Sequence, residues 1–151
     1  ARVVAVDTRE EAQALARNEG ADLAVAPDDA AAVIRDATGG KGADVVLDFV
    51  GADATIALGA AVSRFLADVT VVGIAGGTFP FNFFSLPYEV SVQTTYWGSR
   101  PELVEVLDLA ARGLVRPTVT TFPLDEAVHA YHLMESGSVL GRQVVVPSMG
   151  S

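Results

Sequence analysis

The chain has 151 residues, half of them hydrophobic and 19% charged, which suits one folded domain with a sizeable core and excludes a disordered segment. Its net charge is −9, and its ten Lys and Arg are scattered without a cluster, so the basic footprint needed for nucleic acid or an anionic membrane is missing. Cysteine is absent, which excludes disulfides and Cys-ligated zinc or iron–sulfur sites here and fits a cytoplasmic protein, and no apolar run approaches the about 18 residues of a membrane span.

Val3 to Val6 is a β-branched run that ends at Asp7. Helix-forming residues follow from Thr8 to Asn18, with Gly20 where a C-terminal cap glycine belongs. Leu23 to Ala26 predicts a short strand stopped by Pro27, and Asp28 or Asp29 is placed to cap a helix through Ile34 to about Ala37. Thr38 to Gly42 is a loop. Its glycines follow a helix and precede a strand, the reverse of a phosphate-binding loop, so they read as a plain connection.

The run ADVVLDFV, Ala43 to Val50, is nearly all apolar and predicts a strand covered on both faces. Asp53 to Leu66 reads as a helix, and VTVVGI, Val69 to Ile74, as a second buried strand. Residues 75–88 are irregular and aromatic, and Val90 to Thr95 resumes a strand. Pro101 to Arg112 carries helix signals, with Pro in the first turn and Gly113 after the end. Leu114 to Phe122 reads as extended, Asp125 to Ser136 as a last helix, and Val144 to Val146 as a closing strand. Such alternation predicts an α/β fold with a mostly parallel sheet.

Few residues are candidates for chemistry. A carboxylate such as Asp7 at the end of a strand can accept bonds from both ribose hydroxyls of an adenosine and repel a 2′-phosphate, favouring NAD over NADP. It can equally cap the helix that follows, and Arg9 beside it could accept a 2′-phosphate or simply lie in solvent. Gly51 and Gly73 stand at strand ends, where ligands lie in open α/β sheets, either for close approach to a ring or sugar or as turn residues. Tyr96 and Trp97, within an aromatic set that includes Phe79, Phe81, Phe83, Phe84 and Tyr88, are the pair expected to line a pocket. Glu126, His129 and His132 share a helix at spacings of three, but without further ligands nearby no metal site is expected. Arg142 could clamp a pyrophosphate or lie on the surface. No nucleophile arrangement is legible.

The ordered set VVAVD, TGGKGADVVLDFVG, VTVVGIAGG, TTYWGSRPELVEVLDLA and AVHAYHLMESGSVLGRQVVV resembles the zinc-dependent medium-chain alcohol dehydrogenases, closest to the bacterial secondary-alcohol type. The resemblance covers essentially the whole chain. It implies the carboxyl-terminal portion of such an enzyme: an incomplete Rossmann-like, doubly wound parallel sheet over residues 1–113, lacking its first strand and glycine-rich turn, and a segment 114–151 returning as an arm of the GroES-like catalytic domain.

The resemblance further implies NAD as cofactor, held by Asp7, by Phe49, Val50 and Gly51, by Val72, Gly73 and Ile74, by the Trp97 N–H and by Arg142. The basic partner expected five residues after Asp7 is Ala12 here. Tyr96 and Trp97 would shape the pocket for an alcohol, aldehyde or ketone. Zinc ligands are expected in the amino-terminal part of the enzyme, and none of the residues here would perform the hydride transfer itself. Val90 to Thr95 would join subunits of a homo-oligomer. A non-catalytic cofactor-binding or assembly module, or a zinc-free quinone reductase relative, is the alternative. In the strand order 3-2-1-4-5-6 the missing strand would lie between those ending at Asp7 and Asp48. Because unpaired buried groups cost roughly 1–3 kcal/mol each, the chain alone is not expected to be a stable Rossmann domain, so that either the missing half is present in some form or the gap closes by rearrangement or association.

Overall fold

The structure, a computed structural model, describes residues 1–147. The end of the expected 114–151 segment, from 148 on, lies outside the described residues. The chain divides into two compact units, residues 1–97 and the part from Gly98 on.

The first unit opens with β1 (Val4–Val6), α1 (Glu10–Asn18), β2 (Leu23–Val25), α2 (Pro27–Ala37) and β3 (Ala43–Asp48). It continues through α3 (Asp53–Val62), β4 (Ser63–Val71) and β5 (Ser91–Thr94). Every strand pair in it is parallel: β1 with β2, β3 with β4, β4 with β5. This bears out the α/β reading. Gly20, at φ +105°, follows α1 as a cap glycine should.

Pro27 does not stop β2 so much as start α2. It occupies the first turn, where its missing N–H is no loss, and the capping position is Ala26. Asp28 and Asp29 therefore lie in the first turn, facing the helix dipole instead of capping it. Ala30 and Ile34, one turn apart on α2, are buried with Val62, and Val4, Val25, Ala43 and Val46 pack against them.

That core answers the question of the missing strand. Among the described residues β1 does not pair with β3: the strands form one sheet β1-β2 and another β3-β4-β5. Of the alternatives, rearrangement of β1 is not what the described residues show. β1 keeps its register on β2, Val4 against Leu23 and Val6 against Val25. α2 supplies the reason, because one apolar stripe of that helix holds Val4 of β1 and Val46 of β3 in the same core.

Two further expectations are corrected. β3 is covered on one face only, since Val46 is half-buried and Asp48 buried while Val45 and Leu47 are exposed. α3 ends at Val62, not Leu66. Ser63 is drawn into register with Ala43 at the start of β4, and its hydroxyl donates to Gly59 O, 2.7 Å, closing the helix. The register then shifts, from Ala43–Ser63 to Val45–Asp68. The displaced residues include Leu66, which takes φ +61° and donates its N–H to Tyr88 O, 3.0 Å.

The second unit holds α4 (Arg100–Ala111), β6 (Val119–Pro123), a single 3₁₀ turn (Leu124–Glu126), α5 (Ala127–Glu135) and β7 (Arg142–Val146). β6 and β7 pair in parallel, Thr121 against Val144, with α5 as the crossover. Ser99 caps α4: its Oγ accepts the Glu102 N–H while the Glu102 carboxylate accepts the Ser99 N–H.

Candidate cofactor-binding site

The candidate residues of the first unit gather at the carboxyl ends of its parallel strands, where open α/β sheets bind ligands. Asp7 follows the last residue of β1, and its N–H continues the ladder to Val25 O, 3.2 Å. Its Oδ1 accepts the Arg9 N–H at 2.9 Å and lies 3.8 Å from Arg9 Nε. Gln13 Nε2 donates to the Asp7 main-chain oxygen, 2.8 Å. The carboxylate thus braces the turn ahead of α1 yet stays substantially in solvent. Arg9 is its ion-pair neighbour, a bond too exposed and too long to hold either side chain firmly.

At the end of β3, Phe49 and Val50 are exposed, Phe49 at 71%, and past the end of β4 Ile74 is exposed at 90%. Three apolar side chains on show at neighbouring strand ends form a surface that burial by a flat ligand would favour. Gly51 is buried behind them with φ +70°. The sequence left open why Gly51 and Gly73 should be glycines. A Cβ on Gly51 would overlap the Gly73 carbonyl, and a Cβ on Gly73 would overlap the main chain of Val50. The close approach that demands them is between the two loops.

Asp48 is the residue that sequence reasoning missed. It is 6% exposed. Its Oδ1 accepts the N–H groups of Val50 and Gly51, each at 2.9 Å, and its Oδ2 accepts from Thr55 Oγ1, 2.9 Å. Its main-chain oxygen accepts the N–H groups of Val72 and Gly73, at 2.8 and 3.0 Å. The signal was there: an acid closing an apolar strand must find partners when buried, and Thr55 stands in the first turn of α3.

Tyr96 and Trp97 touch edge to face, with centroids 5.6 Å apart, and both rings are exposed. Trp97 takes φ +59°, unusual for a bulky residue. Arg142, in the second unit, is exposed; its N–H pairs with Thr118 O at 2.8 Å, and its guanidinium donates to Gly141 O at 3.3 Å. His129 stacks edge to face on Phe122, and His132 Nδ1 lies 3.2 Å from Glu135 Oε2. Among the described residues no three His, Cys, Asp or Glu are grouped to hold a metal. No described helix is long and apolar enough to cross a membrane.

The chain as a whole has counterparts among known proteins. Residues 1–112 match the family model described as zinc-binding dehydrogenase. The chain belongs to the zinc-binding dehydrogenase family. It is 35% identical over 146 residues to an NAD-dependent alcohol dehydrogenase of Sulfolobus acidocaldarius, covering 95% of this chain and 42% of that protein. An alcohol dehydrogenase of Geobacillus stearothermophilus is 36% identical over the same length, again 95% and 42% of the two chains. The crystal structure of an alcohol dehydrogenase from Aeropyrum pernix superimposes with a TM-score of 0.86 at 35% identity, over 97% of this chain and 43% of that one. The chain therefore spans about two-fifths of the length of the relatives it matches, their carboxyl-terminal, nucleotide-binding portion.

Proposed function

We propose that the chain is the cofactor-holding portion of an NAD(H)-dependent alcohol dehydrogenase, which as a whole moves hydride between an alcohol carbon and the nicotinamide ring. The observation that carries this reading is the placement of one half-buried acid, Asp7, and of the exposed apolar Phe49, Val50 and Ile74 at the carboxyl ends of parallel strands. The NAD dependence of similar proteins supports it.

In this reading Asp7 accepts both adenosine ribose hydroxyls, and its charge disfavours a 2′-phosphate. Phe49, Val50 and Gly51 flank the cofactor. Val72, Gly73 and Ile74 meet the nicotinamide amide with main-chain atoms. The Val72 and Gly73 N–H groups are already given to Asp48, so carbonyl oxygen is what the first two offer to that amide. Trp97 adds an N–H, and Tyr96 and Trp97 shape the pocket for an alcohol, aldehyde or ketone. The bound cofactor supplies hydride chemistry; the residues here bind and orient. Residues 1–113 are read as the cofactor-binding part and the chain from 114 on as returning to the catalytic domain; the end of the family match at residue 112 supports this division, whereas the compact units part at Gly98.

Zinc, the Lewis acid of this chemistry, has no site among the described residues, and its ligands belong to residues outside this chain. Homo-oligomers form through Val90 to Thr95, which is supported by the exposure of all four residues of β5 at the edge of its sheet. The lack of cysteine supports a cytoplasmic location, and the acidic balance argues against nucleic-acid or membrane partners.

Calorimetric titration with NAD and NADP tests the reading, on this chain and on one extended upstream. Saturable NAD binding that strengthens on extension is expected. No binding to either form would overturn it. Val92→Lys, on the β5 edge, is expected to shift the extended protein to a smaller species in light scattering.

A further inference from the structure

The apolar crest is made by two loops, residues 49–52 between β3 and α3 and residues 72–78 after β4. Asp48 is bonded to both. Its carboxylate accepts Val50 and Gly51 N–H and the Thr55 hydroxyl, and its main-chain oxygen accepts Val72 and Gly73 N–H. Beyond these bonds the loops zip together: Ala75 N–H donates to Val50 O at 3.1 Å, and Gly77 N–H to Gly51 O at 2.8 Å. Thr78 N–H closes the run on Asp53 Oδ1, 2.6 Å.

The acceptors in that zip, Val50 O and Gly51 O, lie in the turn that the Asp48 carboxylate shapes. Both carboxylate oxygens face into the turn and the side chain is nearly inaccessible, so it has no reach to a ligand. A buried carboxylate accepting main-chain N–H groups makes charge-assisted bonds, stronger than neutral ones. Losing it leaves two N–H donors without that partner, the one on Gly51 in a buried place.

We propose that Asp48 is a positioning residue: its carboxylate holds residues 49–51 in the one shape that lets residues 72–77 dock, so that the two loops of the crest keep or lose their geometry together. The consequence for cofactor affinity rests on the function proposed above; the coupling of the loops does not.

The test compares Asp48→Ala, Asp48→Asn and Thr55→Val in the full-length protein. Amide exchange is followed at Val50, Gly51, Ala75 and Gly77, and NADH binding by titration, with circular dichroism as the control for folding. Asn keeps the Oδ1 acceptor, and its Nδ2 can donate to Thr55 Oγ1, which then gives its proton to Ala52 O, 3.0 Å away. Asp48→Ala is expected to speed exchange by about tenfold or more in both loops, including Ala75 and Gly77, which do not touch the side chain, and to weaken NADH binding by about tenfold. Asp48→Asn is expected to stay within about threefold of the parent, and Thr55→Val to fall between, since it removes one bond of the set. Should Asp48→Ala not fold, the Asn and Val variants decide by the same order.

Unchanged exchange at Ala75 and Gly77, or equal effects of Asn and Ala, would overturn the proposal. If the parent protein binds no NADH, the cofactor reading alone falls, and exchange still decides the coupling.

Discussion

Gly51 and Gly73 stand back to back where β3 and β4 end, each in the space that a side chain on the other would need. Gly51 also holds φ +70°, a conformation L residues avoid. Main chain, not a flexible side chain, is what a new methyl would meet, so the loops themselves must shift. Gly73→Ala is expected to cost about 2 kcal/mol of stability, in the range for overpacking. Gly51→Ala should cost more, since the strained φ adds about 1–2 kcal/mol. Denaturant unfolding of the two variants measures both.

Cofactor choice should respond to the Asp7–Arg9 pair. Asp7 Oδ1 holds the Arg9 N–H and sits 3.8 Å from its Nε. Asp7→Ser removes the charge that repels a 2′-phosphate and leaves the guanidinium beside the vacated place. NADP affinity relative to NAD is expected to rise by about tenfold, the effect of one charge-assisted contact. Adding Arg9→Ala should reverse that gain. Titration with both cofactors reads the ratio.

Acid should loosen the start of α4. Hydrogen bonds from the Ser99 main chain, and then from its side chain, hold the Glu102 carboxyl below its ordinary value. A folded-state value below the unfolded one means that the bond stabilises above the unfolded value. That stability is lost as pH falls through the depressed folded value. Amide signals of the first turn of α4 are therefore expected to broaden or exchange faster as pH drops below the usual carboxylate range. Glu102→Gln should abolish this pH dependence, and Ser99→Ala should cost about 1 kcal/mol through the missing cap.

Leu66 offers a stabilising change. It takes φ +61° in the irregular stretch of β4 and its side chain is largely exposed. Asn tolerates that conformation better and gives up little burial here. Leu66→Asn is expected to raise stability by about 0.5–1 kcal/mol, the relief of strain outweighing the small area of apolar surface returned to water. Thermal unfolding of the variant measures it.

Much of the fold was legible along the chain because its signals are local. Asp7 at the end of a β-branched run, Gly20 after α1 and Pro101 inside the first turn of α4 each mark a boundary that the structure keeps. The end of α3 was not legible. Nothing between Asp53 and Leu66 breaks a helix, and it is the pairing of Ser63 with Ala43, distant along the chain, that takes Ser63 into a strand. The one-sided cover of β3 was hidden for a similar reason: an apolar run records what can be buried, and the packing partners decide which face is.

From the sequence alone came the alternation of strands and helices, the acid at Asp7 and the family likeness, all carried by residue types and their order. Only the tertiary structure decided that Asp48 binds two loops and that Gly51 and Gly73 face each other. It also decided that α2 keeps β1 and β3 on one core without pairing them. Those are contacts across strand register, and register is set by where whole elements pack, not by any residue's neighbours along the chain.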